Sequence, residues 1–533
     1  MNFLLRYRPS NQVNPWLVTF IISIATFMEV LDTSIANVSL GHIAGGLAAG
    51  LDESTWVLTS YMVANAVMMP ISGWLGTTLG RKLFFMICVI VFTVSSFFCA
   101  LAPSLNWLLF FRILQGLGGA GMVPTVQSLL ADLFPPEKRG LPFSIYGLSL
   151  VFATAIGPTL GGWITENYSW NWIFLINIPI GMISLILTSL FVREPEGPER
   201  NDLLRQGGHR RFDFIGFTLS VLGIGCLEFF VDRGQREDWF SSPLIVTLAL
   251  ISCISLLTLV FWESWQEEPI VNISLLRSGQ FLAAFLMMFM TGFVLFGTTA
   301  IFPQFLEQLL GYTAEQAGFA LTAGGFALLI LMPLVGGVLI RIISTRILVG
   351  AGLLITAFSL FHLSHFNLNM TFEQAALARI LQVVGIAFIF APITHAAYDG
   401  LHPSESNDAA ALINLARNLG GSIGLALSNT VLSQRSQLHQ TRLIEYISSY
   451  ENGTQLFLQQ LQSRLPSFHY IESMQQAYQE VLHQANLLSY LDVFILLGIV
   501  SLVIFPLIIL LPARQGPKSI LQTSSDSTGS SHV

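Results

Sequence analysis

The chain has 533 residues, of which 53% are hydrophobic and only 10% charged, with a mean hydropathy of +0.66. A soluble domain carries charge on roughly a quarter of its residues, so this composition speaks against a soluble enzyme and for a polytopic membrane protein. A net charge of −7, with no basic cluster interleaved with aromatics, argues against nucleic acid as a partner.

Arg6 and Arg8 precede an apolar run over 16–39. It is too long for the core of a signal peptide, contains Glu29 and Asp32, and lacks a small-residue cleavage site, so it reads as a first spanning helix. Stretches of about 20 mostly apolar residues follow at 54–75, 83–102, 107–131, 141–164, 172–192, 213–232, 243–263, 281–303, 317–340, 347–365, 373–398, 409–432 and 487–512, giving fourteen predicted crossings. With both termini in the cytoplasm, inside segments hold sixteen Lys and Arg and outside segments five; Arg112, Arg379 and Arg417 lie within helices. This bias agrees with the positive-inside rule. Residues 193–212 form a charged inside loop, and 433–486 a long Gln-rich outside loop. In the latter, Leu456, Leu458, Leu461 and Leu465 recur at roughly helical spacing, which fits either short helices or a solvated loop. The tail over 513–533 is rich in Ser and Thr and reads as disordered. Cys88, Cys99, Cys226 and Cys253 all fall in apolar stretches, as small buried hydrophobes do.

The tetrapeptide RILQ occurs at Arg112 and again at Arg379, 267 residues later, half the chain length. Gly118 and Gly385 each follow six residues after the arginine, and Pro124 and Pro392 twelve and thirteen after. A weaker echo joins Gly73 and Leu75 to Gly337 and Leu339. Such matches predict an internal duplication, a transporter feature in which the substrate path lies between the halves. The expected fold is therefore all-α: a six-helix bundle over 1–192, a cytoplasmic loop with two additional helices over 193–280, and a second six-helix bundle over 281–512.

An isolated charge at the bilayer centre costs about 3 kcal/mol on insertion scales, and persists where it is paired or faces water. Arg112 and Asp32 each lie about seven residues, or ~10 Å, inside the outer ends of their helices, a depth at which carboxylate and guanidinium can pair. The alternative is an Arg112 that snorkels outward. Thr19, Thr26, Thr33 and Asn37 fall near one line on the first helix, bordered by Glu29. They form either a wall of an aqueous cavity or a set of interhelical hydrogen bonds. Glu29 and Asp32, one turn apart, are candidates for taking up and releasing protons. Glu228, Asp232, Glu307 and Asp492 lie near helix ends and read as interfacial, while Arg417 needs a partner that the sequence does not name. Gly157, Gly161 and Gly162 around Pro158 predict a close and kinked crossing.

Several stretches together resemble the fourteen-helix drug:proton antiporter branch (EmrB/QacA type) of the major facilitator superfamily, over nearly the whole chain. These are "LDTSIANVSL" (31–40), "GWLGTTLGRK" (73–82), "RILQGLGG" (112–119), "GPTLGG" (157–162), "WNWIFLINIPIG" (170–181) and "RNLGGSIG" (417–424). The resemblance implies a proton-coupled exporter of hydrophobic or amphiphilic compounds, of the multidrug-efflux and antibiotic-resistance kind. It would be driven by a proton gradient, without other cofactor, and would sit as a multi-pass protein in the inner membrane. Asp32, Arg112 and Glu29 would carry proton coupling. Candidate cavity residues are Thr26, Thr33, Asn37, Gln115, Glu307, Arg379 and Arg417. Gly73, Gly80, Arg81, Lys82 and the helix 5 residues Gly157, Pro158, Gly161 and Gly162 would serve conformational change. The long outside loop resembles that of members working with a periplasmic adaptor and an outer-membrane channel. Three departures stand out: Thr77 and Thr78 replace an acid and a base of the 73–82 motif, Ala153 replaces a glycine often found four before the helix 5 Gly-Pro, and Glu307 occupies a position often Gln in relatives, where it either favours cationic substrates or faces water.

Two other readings compete. One is a dedicated exporter of a siderophore or other metabolite, which the motifs do not separate from multidrug export; the other is a non-transporting membrane receptor. A membrane-embedded enzyme would want clustered ligands or nucleophiles, and His362 with His365 offers neither a third ligand nor a nearby carboxylate. No phosphate-binding loop of the Walker type occurs, and no metal site is expected.

Overall fold

The computed structural model describes residues 14–135, 138–194, 212–266, 269–402, 405–445, 455–456 and 470–512, and these are all-helical. Fourteen long helices run in chain order: α1 (Pro15–Val38), α2 (Trp56–Leu79), α3 (Arg81–Ala100), α4 (Leu105–Leu133), α5 (Gly140–Asn167), α6 (Asn177–Phe191), α7 (Phe214–Arg233), α8 (Pro243–Glu263), α9 (Gly279–Leu310), α10 (Ala314–Leu334), α11 (Thr345–Leu363), α12 (Phe372–Ala397), α13 (Ser406–Glu445) and α14 (Tyr470–Val503). Among the described residues, thirteen spans are long and apolar enough to cross a membrane; the short helix Trp172–Leu175 extends the α6 span, and Val335–Ile342 extends that of α10. The remaining long helix, α2, has 24 residues but is diluted by Thr59, Ser60, Tyr61, Asn65 and Ser72, several of which are buried. The helices bury polar residues inward and expose Leu, Ile and Phe outward, as a bilayer solvent dictates.

Small residues set the packing. In α5, a Cβ on Gly157 would lie 2.3 Å from Ser34 Oγ, and one on Gly161 would lie 3.1 Å from the Ile35 carbonyl of α1. In α13, Gly420 and Gly424 take the same i, i+4 spacing against α9, where a Cβ would come within 1.9 Å and 2.3 Å of the Phe289 and Phe293 carbonyls. Gly162 has nothing within 4 Å of a Cβ position, so it does not take part in the close crossing expected of it. The repeated RILQ helices agree in the same way: Gly118 of α4 packs against the α3 backbone at Cys88 and Phe92, and Gly385 of α12 against the α11 backbone at Gly352 and Thr356.

The additional pair, α7 and α8, packs on the outside of α2. Gly225 of α7 faces Val63 and Val67, and Gly223 lies against Leu256 of α8, whose Ser252 hydroxyl donates to the Gly223 carbonyl at 2.8 Å. The outer face of α8 exposes Leu250, Ile254, Leu257 and Phe261 to the surroundings.

One expected boundary is corrected. The outside loop drawn over 433–486 is largely helix: α13 continues to Glu445, and α14 begins at Tyr470. The two extensions pair through Ser436 with Asn486 (2.6 Å), His439 with Asp492 (2.8 Å) and Gln440 with Tyr478 (2.8 Å). These bonds are polar, so no apolar window marks them. Leu458, Leu461 and Leu465, most of the 193–212 loop, and the 513–533 tail lie outside the described residues.

Candidate functional site

The most buried charges of the N-terminal half meet where α1, α2, α3, α4 and α6 converge. Arg112 and Asp32 are 0% and 2% exposed, and Arg112 Nη1 lies 2.6 Å from Asp32 Oδ2. The equal depths read from the sequence thus correspond to an ion pair, and Arg112 does not snorkel. Gln115, one turn further along α4, accepts from Arg112 Nη1 at 2.8 Å and donates to Asp32 Oδ1 at 3.0 Å. Asn177, in the first turn of α6, donates to the same Oδ1 at 2.6 Å, and Ser96 of α3 accepts from both amides. Arg112 Nε donates to the Val57 carbonyl at 3.1 Å, and the guanidinium lies 4.4 Å from the Tyr61 ring centroid. Both charges are therefore desolvated and held by directed bonds, the condition under which a buried pair persists.

Glu29 lies one turn towards the start of α1 and is also buried. Its Oε1 accepts from Tyr61 Oη and Asn65 Nδ2, each at 3.3 Å, whereas Oε2 has no hydrogen-bond partner among the described residues. Gly119 makes room for this group: a Cβ there would meet Tyr61 Oη at 2.7 Å and Glu29 Cγ at 3.3 Å. From Glu29 a polar chain crosses into the C-terminal half. Asn418 of α13 donates to Asn65 Oδ1 at 3.2 Å, and Arg417 Nη2 donates to Asn418 Oδ1 at 3.3 Å. Arg417 thus reaches Glu29 through two asparagines.

The other predicted residues scatter. Thr19, Ser23 and Thr33 return their hydroxyls to carbonyls one turn back on α1; Thr26 is buried with its hydroxyl unpartnered among the described residues, and Asn37 is exposed. Glu307 is exposed on the last turn of α9. Glu228, read as interfacial, is instead buried at 3% exposure, on the face of α7 turned into the bundle. Arg379 lies within the C-terminal half, bonded to Gln382, Thr298 and Thr299.

The 73–82 motif is also assembled. Gly80 has φ +90°, a left-handed conformation natural to glycine. This turn presents the first two amides of α3 to one carboxylate: Arg81 N and Lys82 N donate to Glu194 at 2.7 and 3.0 Å. The Arg81 side chain bonds Asp132 and the Ser128 carbonyl of α4, and Lys82 Nζ the Ser189 carbonyl of α6. At this basic end the halves touch. A Cβ on Gly73 would lie 3.0 Å from Asp408 Oδ1 of α13, and one on Gly140 would lie 2.3 Å from the Gly336 carbonyl. Asn414 donates to Gln127 at 2.7 Å, Tyr146 and Tyr398 join the same pair at 3.3 Å, and Arg139 reaches the Tyr398 carbonyl at 3.4 Å. Asn177, Tyr61, Glu194 and Asp408 were missed from sequence because each acts across elements distant in the chain.

A family model described as "Major Facilitator Superfamily" matches residues 22–425. Among characterised relatives, the chain is 37% identical over 446 residues to the multidrug export protein EmrB of Haemophilus influenzae, covering 84% of this chain and 86% of that protein. It is 36% identical over 433 residues to the fatty acid resistance protein FarB of Neisseria gonorrhoeae, covering 81% and 84%. The human organic anion transporter MFSD10 shares the fold at a TM-score of 0.56 and 13% identity, covering 93% of this chain and 100% of that one. By the family match, the repeated halves and the motifs they place, the chain belongs to the major facilitator superfamily.

Proposed function

We propose that the protein is a secondary active exporter of hydrophobic and amphiphilic compounds, of the multidrug-efflux type, which exchanges substrate for protons by alternating access. It sits in the inner membrane with both termini in the cytoplasm. The observation that carries the reading is the buried Asp32–Arg112 pair, with Gln115 and Asn177 holding the carboxylate and Glu29 one turn away. A proton delivered to Asp32 removes its charge and leaves Arg112, among the described residues, with the neutral acceptors Gln115 and the Val57 carbonyl. The contacts that hold α1 against α4 then weaken, and loss of the proton restores them. Glu29, with one oxygen unpartnered among the described residues, is a second carboxylate that can accept a proton. Its chain through Asn65 and Asn418 gives that proton a mechanical link to α13 in the other half. The pairing of Gly73 with Asp408 and of Gly140 with Gly336 supports closure at the cytoplasmic end as one state of the cycle.

The names of the relatives, multidrug export and fatty acid resistance, support apolar and amphiphilic cargo. The paired extensions of α13 and α14 lie on the periplasmic side in this orientation, and they offer the surface on which a periplasmic adaptor, leading to an outer-membrane channel, would seat. A dye-efflux and drug-susceptibility panel on a deletion strain tests the reading. Broad sensitisation of the deletion strain is expected, with dye efflux restored by the intact gene and that efflux abolished by a protonophore; accumulation of a single metabolite without sensitisation would overturn it.

A further inference from the structure

The two RILQ arginines occupy equivalent positions in the two halves but have different partners. In both, Nη1 of the arginine donates to Oε1 of the glutamine one turn on, at 2.8 Å for Arg112–Gln115 and 2.8 Å for Arg379–Gln382. In the N-terminal half, the arginine and the glutamine amide then converge on the Asp32 carboxylate of α1. In the C-terminal half, α9 stands where α1 does and presents two hydroxyls instead. Arg379 Nη2 lies 2.9 Å from Thr299 Oγ1, and Nη1 3.4 Å from Thr298 Oγ1.

Arg379 and Gln382 are each 1% exposed. Arg379 Nε and Gln382 Nε2 reach no acceptor, and no carboxylate pairs with Arg379, among the described residues. A permanent guanidinium charge and two unused donors are thus buried together in a membrane-spanning bundle, an arrangement that is costly unless a negative acceptor completes it. The neighbouring packing is tight, since a Cβ on Gly324 of α10 would lie 3.1 Å from Arg379 Cγ and 2.9 Å from Val383 Cγ2. Any acceptor there must be small.

We propose that Arg379, Gln382 and Thr299 bind one small monovalent anionic group, either chloride or the terminal carboxylate of an amphiphilic substrate. The site does for the second half, with a ligand, what Asp32 does for the first half with a side chain. Its chloride form is independent of the export reading; its carboxylate form rests on that reading and names acidic amphiphiles as substrates.

Thermal unfolding of the purified full chain in detergent tests this, by titrating sodium chloride against sodium gluconate at constant ionic strength, and separately sodium octanoate against octanol. A saturable rise in Tm with chloride alone assigns the site to the inorganic anion. A rise with octanoate alone assigns it to a substrate carboxylate, and a rise with both, in competition, assigns it to either. Arg379→Gln should weaken the apparent affinity roughly tenfold or more, the loss of a charge-assisted bond. Thr299→Asp, which places a carboxylate on α9 as in the first half, should remain folded and lose the anion response. The absence of any anion-specific shift in the wild type, or an undiminished shift in Thr299→Asp, would overturn the proposal.

Discussion

A charge inside a membrane protein is informative because it must be compensated, and this constraint made Asp32 and Arg112 legible from the sequence: both lie one to two turns deep, with opposite sign. Gln115 was readable only as part of a motif. In the structure it is the hub of the site, bonded to Arg112, Asp32, Ser96 and Cys99. Gln115→Leu should therefore strand buried groups on several helices and cost about 1–3 kcal/mol for each one left unsatisfied, read as a clear fall in the Tm of the purified protein together with slower flux. An unchanged Tm would show that these bonds hold little. Asn177 and Tyr61 were not legible, since a neutral side chain on a distant helix carries no sign of which charge it serves. The arginine at 417 shows the same limit, because its route to Glu29 runs through two asparagines rather than through a direct pair.

At the scale of the helix, crossings were found wherever apolar length alone decides, and their ends were misplaced wherever polar residues continue a helix beyond the apolar core. That is why α13 and α14 overran their predicted limits, and why α2, diluted by buried polar residues, is the weakest apolar signal of the fourteen. Helix contacts follow from where a Cβ would fall. Gly420→Ala in α13 places a methyl 1.9 Å from the Phe289 carbonyl, which backbone cannot yield without displacing α9. Gly162→Ala in α5 meets nothing within 4 Å. Size-exclusion profiles of the two detergent-extracted variants should show loss of the monodisperse peak for Gly420→Ala only. Equal behaviour would mean that the α9–α13 contact is not a close one. In the same way, Glu194→Ala leaves the first amides of α3 without their carboxylate and should destabilise the fold by an amount typical of a lost helix cap, about 1 kcal/mol, read as a fall in Tm.

For the whole molecule, the duplication turns local motifs into a mechanism. The N-terminal half carries the buried Asp32 and Glu29 and the C-terminal half the buried Arg379 and Arg417, which form no ion pair among the described residues, with the halves touching at the basic end through Gly73 and Asp408, Gly76 and Asn407, and Gly140 and Gly336. If opening of that end is part of each transport cycle, a disulfide between Gly76→Cys and Asn407→Cys, in a background with Cys88, Cys99, Cys226 and Cys253 replaced, should form readily and stop flux until it is reduced. Full flux in the cross-linked protein would place the moving contacts elsewhere. The central claim is that protons enter the cycle at the Asp32–Arg112 pair. Its most direct measurement is substrate flux in proteoliposomes under an imposed pH gradient, comparing wild type with Asp32→Asn and Arg112→Ala. The account predicts that the gradient accelerates wild-type flux severalfold and leaves both variants at their gradient-free rate; gradient-driven flux preserved in Asp32→Asn would contradict it.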